Sequence, residues 1–132
     1  MDQTVVSEIQ TIVGDGNFST NIADLYTYGF DASIHHVTPS VVVRPSSTEE
    51  VSAILKMANK YKIPVVPRGA GTGLCGGAVP LKGGIVMDLT RMNKIKEVRV
   101  PDLYCVCEAG VVYDKLQKAL APYKFTFPPT PG

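Results

Sequence analysis

The segment Val65-Val66-Pro67-Arg68-Gly69-Ala70-Gly71-Thr72-Gly73-Leu74-Cys75-Gly76-Gly77 gives up nearly all its side chains, five of its thirteen residues being glycine. Glycine brings no packing and loses the most conformational freedom on folding. Such a run therefore marks a place where the backbone turns left-handed or where something approaches it closely. The β-branched pair at its head reads as a buried strand. Successive amides in tight turns form concave nests for anions, and a strand in front fixes where the nest points. The expected visitor is a phosphate.

Two phosphate-binding patterns can be set against the run. A P-loop needs a lysine directly after its last glycine, and none occurs before Lys82. Gly71-Thr72-Gly73-Leu74-Cys75-Gly76 satisfies Gly-x-Gly-x-x-Gly to the letter, but that fingerprint works only where a helix opens and aims its N-terminus at a pyrophosphate. Here Gly77-Ala78-Val79-Pro80-Leu81-Lys82-Gly83-Gly84 follows, with glycine or proline at four of eight positions, so no helix is expected to start. The run is read as a backbone cradle slung between a strand at 64–67 and a strand at 85–89.

Around the cradle the chain alternates helix and strand patterns. Gln3 to Val13 places Val6, Ile9 and Ile12/Val13 at helical spacing and stops at Gly14-Asp15-Gly16. Residues 17–39 show no clean period and read as a loop with aromatic anchors in Asp24-Leu25-Tyr26-Thr27-Tyr28-Gly29-Phe30-Asp31. His35 and His36 fall in this stretch, without acidic or cysteine neighbours at ligand spacing, and read as a partly exposed loop pair. Val41-Val42-Val43 is a strand. Ser47-Thr48-Glu49-Glu50 then forms a capping box, and Val51, Ile54, Leu55 and Ala58 make the inward stripe of a helix that ends by Ile63-Pro64. Strand, helix and strand in that order predict a right-handed parallel crossover whose carboxyl edge carries the cradle. Further on come β-rich stretches at 95–100 and 103–108, and a helix from Val112 to Ala121 with Leu116 and Leu120 inward and Lys115 and Lys118 outward. A last short strand is expected at Phe125-Thr126-Phe127.

Pro-Arg-Gly-Ala-Gly-Thr-Gly-Leu-Cys-Gly-Gly-Ala-Val-Pro followed by Gly-Gly-Ile-Val-Met-Asp-Leu-Thr-Arg-Met-Asn-Lys-Ile closely resembles the FAD-binding domain of the vanillyl-alcohol oxidase and p-cresol methylhydroxylase (PCMH) superfamily. Within it the best match is the branch of D-lactate dehydrogenase and the GlcD-type subunit of glycolate oxidase. The similarity runs upstream through Val43-Arg44-Pro45-Ser46-Ser47-Thr48-Glu49-Glu50-Val51 and downstream through Val106-Cys107-Glu108-Ala109-Gly110-Val111 to Pro128-Pro129-Thr130-Pro131-Gly132. The ordered series is far more specific than any single glycine string.

The resemblance implies an α+β fold, the N-terminal subdomain of a PCMH-type FAD-binding domain, in which a small β-sheet with a parallel βαβ crossover is flanked by helices. It divides the chain into a helix and lead-in at 1–40 and the first part of the FAD-binding domain at 41–132. It implies that Pro67, Arg68, Gly69, Ala70, Gly71, Thr72, Gly73, Leu74, Cys75, Gly76 and Gly77 wrap the FAD pyrophosphate, with Pro131 and Gly132 lying along the cofactor. Relatives that attach flavin covalently offer a histidine where Thr72 stands, so FAD is expected to be non-covalent. Cys75 in place of a frequent serine and Ala109 in place of the proline of Glu-Pro-Gly-Val remove no anion-binding amide. Relatives continue with a second subdomain and a substrate domain, so this chain is expected to be the N-terminal fragment of a longer flavoenzyme.

The parent is expected to oxidise a small 2-hydroxy acid, glycolate or D-lactate, through hydride transfer to FAD, with partner subunits of an oxidase complex as possible companions. The alternative is a truncated, non-catalytic nucleotide-binding module. No catalytic or metal-ligating residue is assigned within 1–132. Arg68 is expected to support the loop or a phosphate, against the simpler reading of a surface cation at a strand end. Asp88 and Glu108 are expected to hold loop amides.

Bulk properties bound the other classes. A net charge of +1 spread evenly along 132 residues gives no electrostatic footprint for nucleic acid or a membrane surface. Lys94, Lys96 and Arg99 read as a solvated strand face. No run approaches the roughly 18 apolar residues that span a bilayer, and the amphipathic N-terminus is unlike a secretory leader. Cys75, Cys105 and Cys107 have no disulfide rhythm, which fits a reducing, cytoplasmic setting. Cys105 and Cys107 are expected to share one strand face and to pack as small hydrophobes.

Overall fold

The computed structural model describes residues 2–128. They form two compact units divided after Arg91.

In the first unit, helix α1 (Gln3–Val13) starts where the Asp2 carboxylate accepts the Thr4 amide at 3.0 Å. Its buried stripe is Val5, Ile9 and Val13, so Val6 and Ile12 flank the packed line and do not form it. Strand β1 (Phe18–Ser19) and helix α2 (Ile22–Thr27) then occupy ground that the missing period had marked as loop. Six residues are too few to display a helical period, and α2 rests on the Asn21 cap, which accepts the Ala23 amide at 2.9 Å, and on burial of Leu25.

Strands β2 (Val41–Val43), β3 (Val65–Arg68) and β4 (Ile85–Asp88) complete a mixed four-stranded sheet in the order β1-β2-β4-β3. Strand β4 is parallel to both β2 and β3, and β1 is antiparallel to β2. The expected parallel crossover from β2 to β3 is present, but it steps over β4, which lies between them. Both faces of the central strands are covered, so they read as unbroken apolar runs. Val41, Val43, Ile85 and Met87 pack under α1 and α3, while Val42 and Val86 meet Leu25 and Tyr28 on the other side.

Helix α3 (Thr48–Tyr61) begins at Ser47, whose hydroxyl accepts the Glu50 amide at 3.2 Å. Glu50 reaches one residue further back than a capping box prescribes, taking the Ser46 amide at 2.7 Å. Ile54, Met57 and Ala58 are buried, whereas Leu55, expected inward, is 48% exposed. The stripe follows Val51, Ile54, Ala58 and Tyr61, and Leu55 lies to one side of it.

The second unit pairs β5 (Ile95–Arg99) with β6 (Tyr104–Cys107), antiparallel with a register shift between Ile95 and Glu97. Arg99 meets Asp102 at 3.1 Å on the solvated face. Helix α4 (Tyr113–Leu120) buries Leu116 and Leu120 as its pattern requires, and Pro122 sits in the 3-10 turn that follows. Phe125 to Phe127 is not a strand. The Gln117 side chain takes the place of a strand partner, accepting the Phe127 amide at 2.9 Å and donating to its carbonyl at 2.9 Å. Cys107 is exposed and Cys105 half-buried, so the packing expected for this pair does not hold for Cys107. Among the described residues no cluster of histidine, cysteine and carboxylate could hold a metal ion.

Candidate functional site

Parallel neighbours such as β3 and β4 must be joined by a chain that returns the whole length of the strands, a task usually given to a helix. Here residues 69–84 make the return without one. The loop leaves β3 at the carboxyl edge, where Arg68 lies opposite Asp88, and re-enters at Gly84 beside Pro64. Open parallel sheets bind ligands at that carboxyl edge.

The cradle presents backbone to solvent. Pro67, Gly69, Ala70, Thr72, Gly73, Leu74, Cys75 and Gly77 are exposed, Gly71 is half-buried, and Arg68 and Gly76 are buried. A Cβ added to Gly69 or Gly77 would meet nothing within 4 Å, so open space stands over both ends of the run. Gly71 is different. Its φ of 73° is left-handed, and a Cβ there would collide with the Arg68 guanidinium. An exposed amide run whose side chains are absent, with one position closed to any side chain, fits a diphosphate lying against backbone. Pro131 and Gly132, expected beside the cofactor, lie outside the described residues.

Arg68 is not a surface cation. It is 9% exposed, its Nη1 donates to the Phe30 carbonyl at 2.7 Å, and its guanidinium lies 5.5 Å from the centre of the Tyr28 ring. The guanidinium therefore ties the cradle to the segment beneath it. That segment is also held by the Ala32 amide, which donates to the Gly73 carbonyl at 3.0 Å. Asp88 accepts the Thr90 amide at 2.9 Å and the Tyr28 hydroxyl at 2.7 Å, and Glu108 accepts the Lys94 amide at 2.9 Å. Both carboxylates serve backbone, as their place in the sequence implied. The His36 ring lies tilted against Tyr26, with centroids 4.7 Å apart, and both histidines of the pair are exposed.

The sequence missed the contribution of Tyr28 and Asp31. Their signal was local: Asp31 two residues before Ser33 is an Asx-turn pattern, and the Ser33 amide donates to Asp31 Oδ1 at 2.8 Å. Burial, then the hydrogen bond to Asp88 and its negative charge, push the Tyr28 hydroxyl from 10.0 up to about 12. The folded chain thus keeps a proton that the unfolded chain releases above pH 10. The contribution of this group is present below pH 10 and is lost as pH rises to about 12. Thermal melts should show Tyr28→Phe less stable at neutral pH, with a flatter decline across that window. A decline as steep as that of the parent chain would remove Tyr28 as its source.

An apolar groove in the second unit, lined chiefly by Val98, Leu103, Leu120, Phe125 and Phe127, offers hydrocarbon and few polar groups. The cradle differs in offering exposed backbone with few side chains.

A mixed sheet carrying an exposed glycine-rich loop at its carboxyl edge is the frame of an α+β module open to a nucleotide. Residues 39–132 match the family described as FAD binding domain, and the chain belongs to that family, of the vanillyl-alcohol oxidase and p-cresol methylhydroxylase type, with FAD as its cofactor. It is 46% identical over 110 residues to D-lactate dehydrogenase of Archaeoglobus fulgidus, covering 80% of this chain and 25% of that protein. It is 33% identical over 129 residues to glycolate oxidase subunit GlcD of Bacillus subtilis, covering 97% of this chain and 27% of that one. The structure of p-cresol methylhydroxylase with substrate bound superposes with a TM-score of 0.82 at 25% identity, over 92% of this chain and 24% of that one. The chain thus spans about a quarter of the length of the curated relatives it matches. No helix among the described residues is long and apolar enough to cross a membrane.

Proposed function

We propose that this chain supplies the diphosphate-binding part of a non-covalent FAD site in a cytoplasmic oxidoreductase acting on a small 2-hydroxy acid, glycolate or D-lactate. Residues 1–40 act as lead-in and 41–132 as the first part of the FAD-binding domain. The observation that carries the reading is the exposed amide run from Gly69 to Gly73, with Gly71 closed to side chains by the buried Arg68. Relatives named D-lactate dehydrogenase and glycolate oxidase subunit support the substrate class.

Bound FAD supplies the electron-accepting ring, while these residues bind and orient it. The cradle amides donate to diphosphate oxygens, Arg68 holds the cradle from beneath, and Thr72 offers no ring nitrogen for a covalent link. The full-length parent protein purified without added flavin should be yellow, and acid precipitation should release the colour into solution. Colourless protein whose melting temperature does not respond to FAD would refute the reading.

The exposure of Thr72, Gly73, Leu74 and Cys75 supports a second reading, in which the chain by itself is a module that holds the nucleotide loosely. Binding energy is not additive between the parts of a site. Titration separates the two: similar weak affinities for ADP and FAD support the loose module, and a strong preference for FAD supports a site that also grips the flavin.

A further inference from the structure

Three rings lie open beside the cradle. Tyr26 is 58% and Phe30 41% exposed, and His36 is exposed with them. Ring centroids stand 4.7 Å apart for Tyr26 and His36, 5.9 Å for Phe30 and His36, and 6.1 Å for Tyr26 and Phe30. The planes meet at 37° to 64°, so no ring of the three stacks flat on another. The backbone holds the group together. Phe30 and His36 form a β-bridge, and the Val37 amide donates to the Gly29 carbonyl at 2.8 Å. Gly29 is buried, and a Cβ on it would stand 3.0 Å from His36 Nε2, so the absent side chain leaves the imidazole its place. The strap that carries the rings is fastened to the cradle along its length. The Phe30 carbonyl accepts from Arg68 Nη1 at 2.7 Å, the Ala32 amide donates to the Gly73 carbonyl at 3.0 Å, and the His35 ring lies 3.1 Å from where a Cβ on Gly76 would stand.

We propose that Tyr26, Phe30 and His36 form a platform on which a planar heteroaromatic ring of the bound dinucleotide stacks, next to the diphosphate that the cradle holds. This deepens the diphosphate reading above and rests on it. Exposed apolar rings that are grouped, unlike those scattered singly, mark an interaction surface. The cradle beside them selects the occupant, because a nucleotide joins an anion to a flat ring and this surface sets exposed amides next to open aromatic faces. FAD carries such a ring at each end of its diphosphate, adenine at one and isoalloxazine at the other. Stacking on aromatic side chains accepts either, since every such ring has a π-face. The two parts of the surface address different parts of the ligand and do not compete.

NMR titration of the 132-residue chain with inorganic pyrophosphate, ADP and FAD tests the platform. Pyrophosphate should shift the amides of residues 69–73 and leave the ring protons of Tyr26, Phe30 and His36 in place. A ligand that also carries the stacking ring should shift both sets. Ring shifts with ADP identify adenine as the occupant, and ring shifts with FAD alone identify isoalloxazine. Tyr26→Leu and Phe30→Leu keep apolar cover and the Phe30 carbonyl but remove a ring, and each should weaken that ligand by roughly tenfold while leaving pyrophosphate unchanged. Equal weakening of pyrophosphate overturns the proposal, reducing the rings to support for the strap. Rings that stay unmoved by ADP and FAD while the cradle amides shift overturn it alone, and this arm decides if a variant fails to fold. Rings that answer ADP or FAD above cradle amides that never move would sink the diphosphate reading and leave the stacking surface standing. Silence at both places sinks both.

Discussion

Gly84→Ala should lower stability by about 4 kcal/mol, at the upper end of single-site effects, and drop the melting temperature by roughly 10–20 °C. Two costs combine at this position. Its φ of 84° is left-handed, which charges any other residue about 1–2 kcal/mol. A Cβ there would also collide with the Pro64 carbonyl oxygen, a backbone atom that cannot turn aside as a side-chain end can. That same oxygen accepts the Ile85 amide at 2.9 Å, at the first rung of the β3–β4 ladder, while the Gly84 carbonyl accepts the Ser40 amide at 2.8 Å ahead of β2. Moving Gly84 therefore disturbs the pairing of β4 with both parallel neighbours. Gly83→Ala is the internal control. It shares the left-handed backbone, with φ at 65°, but its Cβ would meet nothing within 4 Å, so it should show the conformational cost alone. Equal melting temperatures for the two variants would show that the collision is relieved.

The sequence carried much of this architecture because α3 is long enough to show its period and the central strands are apolar enough to stand out as unbroken runs. Val41-Val42-Val43 and Ile85-Val86-Met87 are buried on both faces and could be read without ambiguity. The elements that escaped were those held by something other than periodicity. Helix α2 depends on the Asn21 cap and one buried leucine, and the tail at Phe125–Phe127 depends on a glutamine nine and ten residues away. Alternating aromatics there imitate a strand because both rings border the same apolar groove. In the site, glycines announced the cradle since nothing else explains five of them together. The support beneath it was illegible, because Tyr28, Phe30 and Asp31 reach the loop only through contacts made some forty to sixty residues apart in sequence.

Arg68 and Gly71 should behave as one unit. Arg68→Met removes the donor to the Phe30 carbonyl and the cation over Tyr28, and Gly71→Ala drives its Cβ into the space that the guanidinium fills. Each change alone should weaken FAD and ADP by more than about tenfold, since both release the cradle from its support. Together they should cost little more than the worse one. In the Arg68→Met background the alanine meets a thinner, flexible side chain and retains only the left-handed cost of about 1–2 kcal/mol. A double-mutant cycle on stability should therefore show a coupling of about 1–2 kcal/mol, the range expected for residues in contact. Arg68→Lys separates support from direct phosphate binding. An ammonium is a point charge that cannot both reach the Phe30 carbonyl and lie flat over the Tyr28 ring, so lysine should restore little affinity. Substantial rescue by lysine, with affinity that falls steeply as salt is added, would instead place the cation on the phosphate.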